Sequence, residues 1–293
     1  MKAHYVVGLG EILWDMLPSG KKLGGAPANF AYHASGFGLD GIALSAIGRD
    51  ALGREIEEAL ASAGLACSLQ LGGLPTSTVQ VSLSGAGIPE YNIVEGVAWD
   101  GLEFDADFAR IASESSCVCF GTLAQRSPAS RKCIQAFLDA MPKDSLKVYD
   151  INLRQNYYSE DLIRESIAKS DILKLNDDEL VTVAAMFGCA DLSPADACRR
   201  LLADGGLRIV ILTCGTAGSY VITSDRELFR KTPVVDVVDT VGAGDSFTAA
   251  FCAALLKGHD LETAHEAAVR VSAFVCTRNG AMPELPEELK ALV

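Results

Sequence analysis

Short apolar runs rich in β-branched residues alternate with longer amphipathic stretches along most of this chain. The runs predict strands at Tyr5–Leu9, Ile42–Ile47, Cys117–Gly121, Lys147–Ile151, Ile172–Leu175 and Arg208–Leu212. The stretches between them predict helices at Pro27–Phe37, Ala51–Ala63, Phe108–Glu114, Pro128–Met141, Ser159–Ser170, Asp177–Phe187 and Pro194–Ala203. This alternation is typical of crossover units. It predicts an α/β fold with a mostly parallel central sheet, helices on both faces, and ligands at the carboxyl ends of the strands.

One part of the chain breaks the alternation. Thr76–Ser84 and Glu90–Val97 alternate apolar and polar residues and are joined by a turn at Gly85–Pro89, which predicts a β-hairpin. Leu13–Leu23 is a third strand-like piece. Residues 12–23 and 75–97 are therefore predicted to form a small β-sheet that acts as a lid. Because no repeat or linker-like tract is visible, we expect one domain over residues 1–293.

Composition narrows the classes of ligand. No apolar run approaches the roughly 18 residues that a membrane span needs, and the N-terminus lacks a leader-like pattern, so we expect a cytoplasmic protein without membrane contact. The nine cysteines show no CxxC or disulfide framework and are expected to be reduced. A net charge of −13 without a basic stripe argues against nucleic-acid binding. The expected ligand is a small molecule.

The stretch Asp239–Thr248 carries the strongest candidate chemistry. Gly242 and Gly244 flank Ala243, and the residues that follow are patterned to begin a helix at about Ala243. The free N–H groups and positive dipole end of such a helix would stabilise a phosphoryl group. Asp245 lies in the first turn, where we expect the dipole to keep it ionised at pH 7 and able to accept a proton. A glycine-rich loop followed by a helix with an acidic residue in its first turn, without a ligand, explains the same residues.

A second glycine-rich stretch precedes the first predicted helix. Gly25 allows the backbone to approach a ligand, and Asn29 offers both a donor and an acceptor from the first turn of the helix. Asp15, just upstream, suits two hydroxyl groups of a sugar. As isolated residues, Asn29 and Asp15 also fit capping or surface roles.

Two signatures make the chain similar to a known family. Gly24–Ile56, which includes Ala46–Asp50, resembles the N-terminal signature of the ribokinase-like (PfkB) carbohydrate kinases, and Asp239–Phe247 resembles their C-terminal signature. The resemblance extends over essentially the whole chain. The segments most similar to bacterial fructokinases are Gly10–Asp15, Ala26–His33, Val97–Asp100 and Asp150–Arg154.

The resemblance implies ATP-dependent phosphorylation of a sugar hydroxyl, with D-fructose converted to fructose 6-phosphate. Asp245 would be the base, and the N–H groups of Gly242, Ala243 and Gly244 would bind the transferring phosphoryl group. Asp15, Gly25 and Asn29 would hold the sugar. Ketodeoxygluconate, ribose and nucleosides are alternative acceptors, and a non-catalytic sugar- or nucleotide-binding protein on the same fold is an alternative of another class.

Arg154 ends a predicted strand and suits a two-pronged contact with the transferred phosphate, although a surface ion pair explains it nearly as well. Asn176–Glu179 is similar to the family's Asn-x-x-Glu motif, which implies that Glu179 supports Mg²⁺ through water and that Asn176 lies at the nucleotide. Without the resemblance, Asn176 reads as a helix cap with an acidic first turn.

The resemblance also implies a nucleotide site. Thr213, Gly215 and Gly218 would form a nucleotide-binding turn, and Asn279 and Gly280 would shape the adenine pocket. An ordinary β-turn and a glycine helix cap explain the same residues. Asp239 is expected at a monovalent cation such as K⁺, and a homodimer is expected to form through the lid.

Other enzyme classes fit less well. Val7–Gly10 follows the first predicted strand as a dinucleotide-binding fingerprint would, but Leu13 stands where its third glycine is required. The sequence also contains neither a P-loop nor a Gly-x-Ser-x-Gly nucleophile elbow.

Overall fold

A nine-stranded sheet forms the centre of the fold, and a separate four-stranded sheet lies beside it. The computed structural model describes residues 4–17, 20–83 and 89–293. The strands are β1 Tyr5–Leu9, β2 Leu13–Leu17, β3 Gly20–Gly24, β4 Asp40–Gly48, β5 Ala66–Gly72, β6 Thr78–Leu83, β7 Pro89–Ile93, β8 Ser115–Phe120, β9 Leu146–Asp150, β10 Ile172–Asn176, β11 Ile209–Thr213, β12 Ser219–Ile222 and β13 Glu227–Arg230. The helices are α1 Ala26–Gly36, α2 Ala51–Ser62, α3 Ala106–Ser113, α4 Pro128–Ala140, α5 Glu160–Ala168, α6 Asp177–Met186, α7 Pro194–Gly205, α8 Ala243–Leu256, α9 Leu261–Cys276 and α10 Glu287–Lys290.

The central sheet has the order β13-β12-β11-β10-β9-β8-β1-β4-β5. The pairings from β11 to β5 are parallel, and within the described part of this sheet only the β11–β12 and β12–β13 pairings are antiparallel. The predicted α/β class is confirmed, and every predicted strand and helix of the crossover pattern is present, with ends within two residues of the prediction. The sequence analysis missed β5, β12 and β13, which lie toward the sheet's two edges. There, short strands or exposed side chains weaken the apolar signal.

Helices cover both faces of the sheet. One face packs against the apolar side chains of α3, α4, α6 and α7, such as Phe108, Phe137 and Leu201. The other face packs against α1, α8 and α9, with Phe30 and Phe251 at the contact. Helix α8 is buried from Ser246 to Ala254, because nearly all of its residues are small or apolar, and its first turn is partly exposed. This burial fixes the position of its N-terminus.

A close contact holds α1 against β1. A Cβ atom on Gly8 would lie 1.8 Å from the carbonyl oxygen of Pro27, so only glycine lets the strand and the first turn of the helix approach this closely. As a result, the N-terminus of α1 lies at the carboxyl end of β1.

The second sheet has the order β3-β2-β6-β7 and is formed by the segments that were predicted to act as a lid. The hairpin prediction is confirmed by the antiparallel pairing of β6 with β7. Its turn was predicted at Gly85–Pro89, but β7 already begins at Pro89, and residues 84–88 lie outside the described part. The return strand ends at Ile93 rather than at the predicted Val97. The stretch Leu13–Leu23 forms two strands, β2 and β3, and β2 pairs in parallel with β6.

Within the described ranges, every helix is too short or too polar to cross a bilayer. All nine cysteines are free thiols, and most are buried, as expected from their apolar surroundings.

Candidate active site

The predicted site residues gather where the carboxyl ends of the central strands meet the N-termini of α1 and α8. Gly25 immediately precedes α1 and Gly242 immediately precedes α8, while Asp150 and Asn176 end β9 and β10. In parallel α/β folds, ligands bind at this edge of the sheet. The structure therefore brings the two signature segments to one place, although they are more than 200 residues apart in the chain.

The N-terminus of α8 has the geometry expected of an anion hole. Helix α8 begins at Ala243, as predicted, and Gly242 adopts the left-handed conformation with φ 79°. A Cβ atom on Gly242 would lie 2.6 Å from Cβ of Ala281, so this position has no room for a side chain. No side chain caps the helix. The Ala243 N–H donates to the carbonyl oxygen of Thr240 at 3.3 Å, and the N–H groups of Gly242 and Gly244 are available to a ligand.

Asp245 is half-buried and hydrogen-bonded to the other helix of the site. The amide nitrogen Nδ2 of Asn29 donates to Oδ2 of Asp245 at 2.7 Å. Burial, followed by the charge of Asp150, raises the pKa of Asp245 to about 6, while Asn29, Lys174 and Arg154 oppose this rise. Desolvation therefore outweighs the helix dipole, which was expected to favour the charged form. At pH 7 a pKa of about 6 still leaves most of the Asp245 population ionised.

Glu11 is a site residue whose role was missed in the sequence. Its side chain is buried, and Oε2 has no hydrogen-bond partner among the described residues. Glu11, Asp150, Asn152 and Asp245 line a cavity of about 10 Å³, close to the size of one water molecule. Burial raises the pKa of Glu11 to about 7, and the charge of Asp245 adds to the rise. A lone carboxylate inside an otherwise apolar N-terminal run was the available signal.

A buried ion pair lies beneath the first turn of α8. Nζ of Lys174 lies 2.9 Å from each carboxylate oxygen of Asp150, and both side chains are more than nine-tenths buried. A Cβ atom on Gly244 would lie 3.1 Å from the same Nζ, which places the ammonium group against the anion hole. The sequence analysis did not identify this pair. A lysine within the apolar strand β10 was the signal for it.

The sugar-side candidates face the same region. Gly25 has φ 125°, and a Cβ atom there would lie 2.5 Å from the carbonyl oxygen of Glu11. Asp15 lies on the lid strand β2, and burial raises its pKa, while the charges of Arg154 and Lys22 oppose the rise. Arg154 is exposed, and its charge also acts on Glu11 and Asp245. Asp15, Asn29 and Arg154 thus surround the region next to Asp245.

Asn176 and Glu179 form the cap of α6. Oδ1 of Asn176 accepts from the Glu179 N–H at 2.8 Å, and Oε2 of Glu179 accepts from the Asn176 N–H at 2.8 Å. Oε1 of Glu179 accepts from the Leu153 N–H at 2.9 Å, which ties α6 to the loop that carries Arg154. The capping interpretation is correct for both residues. Each carboxylate oxygen keeps a lone pair for a water ligand of Mg²⁺, so the cap does not exclude the metal role.

Metal binding by protein groups alone has no support in the described ranges, because no three His, Cys, Asp or Glu side chains cluster there in an arrangement that could hold an ion. A Mg²⁺ ion that accompanies nucleotide phosphates needs few protein ligands, because it keeps several waters. Glu179 therefore fits such an ion as a water-mediated support.

The turn after β11 is closed by backbone contacts. The Cys214 N–H donates to the Gly218 carbonyl oxygen at 2.8 Å, and Gly215 and Gly218 have φ values of 52° and 140°. Oγ1 of Thr213 lies 3.5 Å from the carbonyl oxygen of Leu175 on the neighbouring strand. These glycines hold a left-handed turn at the carboxyl edge of the sheet, where the predicted nucleotide contacts would have to lie.

Asp239 connects three parts of the site. Its carboxylate accepts from the N–H groups of Val241 at 3.1 Å and Gly280 at 3.0 Å, and Nζ of Lys22 on β3 lies 3.3 Å away. Burial opposes ionisation, but these N–H bonds and Lys22 together lower the pKa of Asp239. Both oxygens of the Asp239 carboxylate thus form hydrogen bonds with protein groups. Gly280 takes the left-handed conformation, and Asn279 beside it is exposed.

Comparison with known proteins agrees with the fold. A family model described as pfkB family carbohydrate kinase matches residues 19–288. The ATP-dependent 6-phosphofructokinase of Thermoanaerobacterium thermosaccharolyticum is 27% identical over 98% of this chain and 92% of its own length. A fructokinase of Klebsiella pneumoniae is 29% identical over 95% of each chain. The crystal structure of an uncharacterized sugar kinase from Pyrococcus horikoshii in complex with ATP superposes with a TM-score of 0.79 at 25% identity, covering 97% of this chain and 99% of that one.

Gly242→Ala tests the anion hole. The added methyl group would collide with Ala281, so the N–H groups of the first turn must move, and we expect kcat to fall by about 10²-fold or more. The control is Gly258→Ala, which has a similar φ of 86° but open space around it. It should cost about 1 kcal/mol of stability and leave kcat near the wild-type value. Equal kcat values for the two variants, measured by steady-state ADP release, would contradict the role of Gly242.

Glu11→Gln tests the burial of an acidic group. Because the folded state raises the Glu11 pKa from 4.5 to about 7, it keeps a proton that the unfolded chain loses between these values. Wild-type stability should therefore fall by up to about 3 kcal/mol as pH rises from 4.5 to 7.

Glu11→Gln should remove this part of the pH dependence, whereas Glu57→Gln at an exposed position of α2 should keep it. Urea unfolding at a series of pH values measures the difference. Parallel curves for wild type and Glu11→Gln would show that Glu11 ionises normally in the folded protein.

Proposed function

This chain belongs to the pfkB family of carbohydrate kinases, and from that premise we propose that it transfers the γ-phosphoryl group of ATP to a hydroxyl group of fructose, giving fructose 6-phosphate. The observation that carries the proposal is the hydrogen bond from Asn29 to Asp245, which joins the sugar-side helix to the anion hole. A polyol held at the N-terminus of α1 would present a hydroxyl group to Asp245 at the place where a phosphoryl group would bind.

Asp245 is the base in this proposal. Asn29 occupies Oδ2, which leaves Oδ1 to accept the hydrogen bond of the attacking hydroxyl group. With a pKa of about 6, Asp245 is ionised at neutral pH and is more basic than an exposed aspartate. Phosphoryl transfer is largely dissociative in most analyses, so the base orients the nucleophile and takes its proton late. Positioning and charge stabilisation then supply most of the acceleration.

The phosphoryl-binding side of the site is proposed to consist of backbone N–H donors and the guanidinium group of Arg154. The N–H groups of Gly242, Ala243 and Gly244 would stabilise the charge that develops on the transferring group, and the exposed guanidinium of Arg154 is free to reach the same group. Mg²⁺ would neutralise charge on the ATP phosphates. Glu179 would orient a water ligand of that ion. The remaining nucleotide contacts are proposed to come from Asn176, Thr213, Gly215, Gly218, Asn279 and Gly280.

The identity of the molecule that accepts the phosphoryl group is the more specific part of the proposal. Asp15, Gly25 and Asn29 suit a polyol, and the similarity to a fructokinase supports fructose. One observation favours fructose 6-phosphate as a second candidate. The cations Lys22 and Arg154 both act on Asp15 in the sugar region, where they would attract a phosphate on the acceptor, and a 6-phosphofructokinase is among the relatives. Ribose, ketodeoxygluconate and nucleosides stay as alternatives. K⁺ at Asp239 and a homodimer through the lid also remain proposals.

ADP release from ATP and Mg²⁺ over a panel of acceptors tests this function. The panel contains fructose, fructose 6-phosphate, ribose, ketodeoxygluconate and a nucleoside, with ATP alone as the control for hydrolysis. We expect the highest kcat/KM with fructose and a product identified as fructose 6-phosphate by phosphorus NMR. Turnover with another acceptor and none with fructose would contradict the acceptor assignment alone. Release no faster than ATP alone with every acceptor, despite sugar or nucleotide binding by calorimetry, would favour the non-catalytic alternative.

A further inference from the structure

The buried pair Asp150–Lys174 has no part in the function proposed above, yet it lies against the group that function depends on. Strand β9 ends at Asp150, which pairs in direct register with Lys174 on the neighbouring strand β10. Both side chains end beneath the first turn of α8. Replacing a buried ion pair with apolar residues is often neutral or stabilising, so stability alone is a weak reason for it.

Two contacts connect the pair to the anion hole. The ammonium group of Lys174 lies against Gly244, where even a methyl group would be only 3.1 Å from Nζ. Oγ1 of Thr248 lies 3.1 Å from Oδ2 of Asp150 and 3.0 Å from the carbonyl oxygen of Gly244. Asp150 is therefore connected through Thr248 to the carbonyl group of Gly244, and Lys174 packs against the same glycine, which lies in the anion hole. A shift of either charged group would change the surroundings of Gly244.

The two charges act on Asp245 in opposite directions. Asp150 lines the same small cavity as Asp245, and its negative charge raises the pKa of Asp245, whereas Lys174 lowers it. The other groups that face Asp245 or line its cavity are Asn29 from α1, Glu11 from the loop after β1, Cys119 from β8, and Arg154 from the loop after β9. Within this set, Asp150 and Lys174 are the only members bonded to each other by an ion pair in the described residues.

We propose that Asp150 and Lys174 are positioning residues that together set the basicity of Asp245 and hold Gly244 in the anion hole. The inference rests on the proposed role of Asp245 as the base. Asp150 makes Asp245 a stronger base, and Lys174 prevents that effect from leaving Asp245 protonated at neutral pH. Because both act from beneath the helix, they occupy no space that a substrate needs. The pair thus acts through Asp245 and Gly244 without touching substrate.

The pH dependence of kcat/KM tests this inference with two variants that are expected to shift the profile in opposite directions. Lys174→Met removes the positive charge, so the acid limb of the profile should move to higher pH by about one unit. Asp150→Asn removes the negative charge, so the acid limb should move to lower pH by about one unit. The double variant should return the limb to within about half a unit of wild type, because the two effects cancel. Lys174→Arg keeps the charge and should leave the limb in place.

A purely structural role predicts a different result. Each single variant would then lower the melting temperature and kcat while the acid limb stays at the wild-type pH. That outcome, or shifts of the two single variants in the same direction, overturns the inference. If Lys174→Met does not fold, Lys174→Gln retains a donor for Asp150 and should shift the limb upward in the same way. If neither Lys174 variant folds, the downward shift for Asp150→Asn decides by itself.

The outcome is separable from the identity of the base. If Asp245→Asn keeps wild-type turnover, the proposed function loses its base and this inference falls with it. If Asp245→Asn is inactive while the Asp150 and Lys174 variants leave the acid limb unmoved, only the inference about the pair fails.

Discussion

The hydrogen bond between Asn29 and Asp245 holds together the two helix N-termini on which the candidate site depends. Its geometry is possible because α8 is buried from Ser246 to Ala254 and α1 approaches β1 at Gly8 without a side chain between them. Both helices are therefore packed closely against the sheet. This packing and the hydrogen bond together place the carboxylate of Asp245, the amide of Asn29 and the N-terminus of α8 in one region.

Burial at this place has an electrostatic consequence. Three carboxyl groups, those of Glu11, Asp150 and Asp245, line one small cavity in a chain whose net charge is already −13. Desolvation raises the pKa of Glu11 and of Asp245, so both carboxylates bind a proton more readily than exposed ones. Lys174 and Arg154 oppose the rise at Asp245, but their effects are smaller than those of burial and of Asp150. Binding of ATP would need Mg²⁺ to offset the charge of its phosphates.

The sequence predicted what depends on local pattern. The alternation of strands and helices, the start of α8 at Ala243 and the cap formed by Asn176 and Glu179 all follow from periodicity, glycine placement and capping preferences. It could not predict the pairing of Asp150 with Lys174, because that contact depends on which strands become neighbours in the sheet. The raised pKa of Asp245 was missed for a related reason. Helix position is visible in a sequence, but the burial that outweighs the dipole is visible only in the folded chain.

The proposed function depends most on the carboxylate of Asp245, which we propose accepts the proton of the attacking hydroxyl group. The most direct measurement is the turnover of Asp245→Asn, a change of nearly equal size that keeps an acceptor oxygen for Asn29, beside Asp191→Asn as an exposed control. We expect kcat to fall by about 10²-fold or more in Asp245→Asn, while the dissociation constant of the acceptor measured by calorimetry changes little and the control turns over normally. Turnover of Asp245→Asn near the wild-type rate, with a correctly folded protein, would contradict the claim.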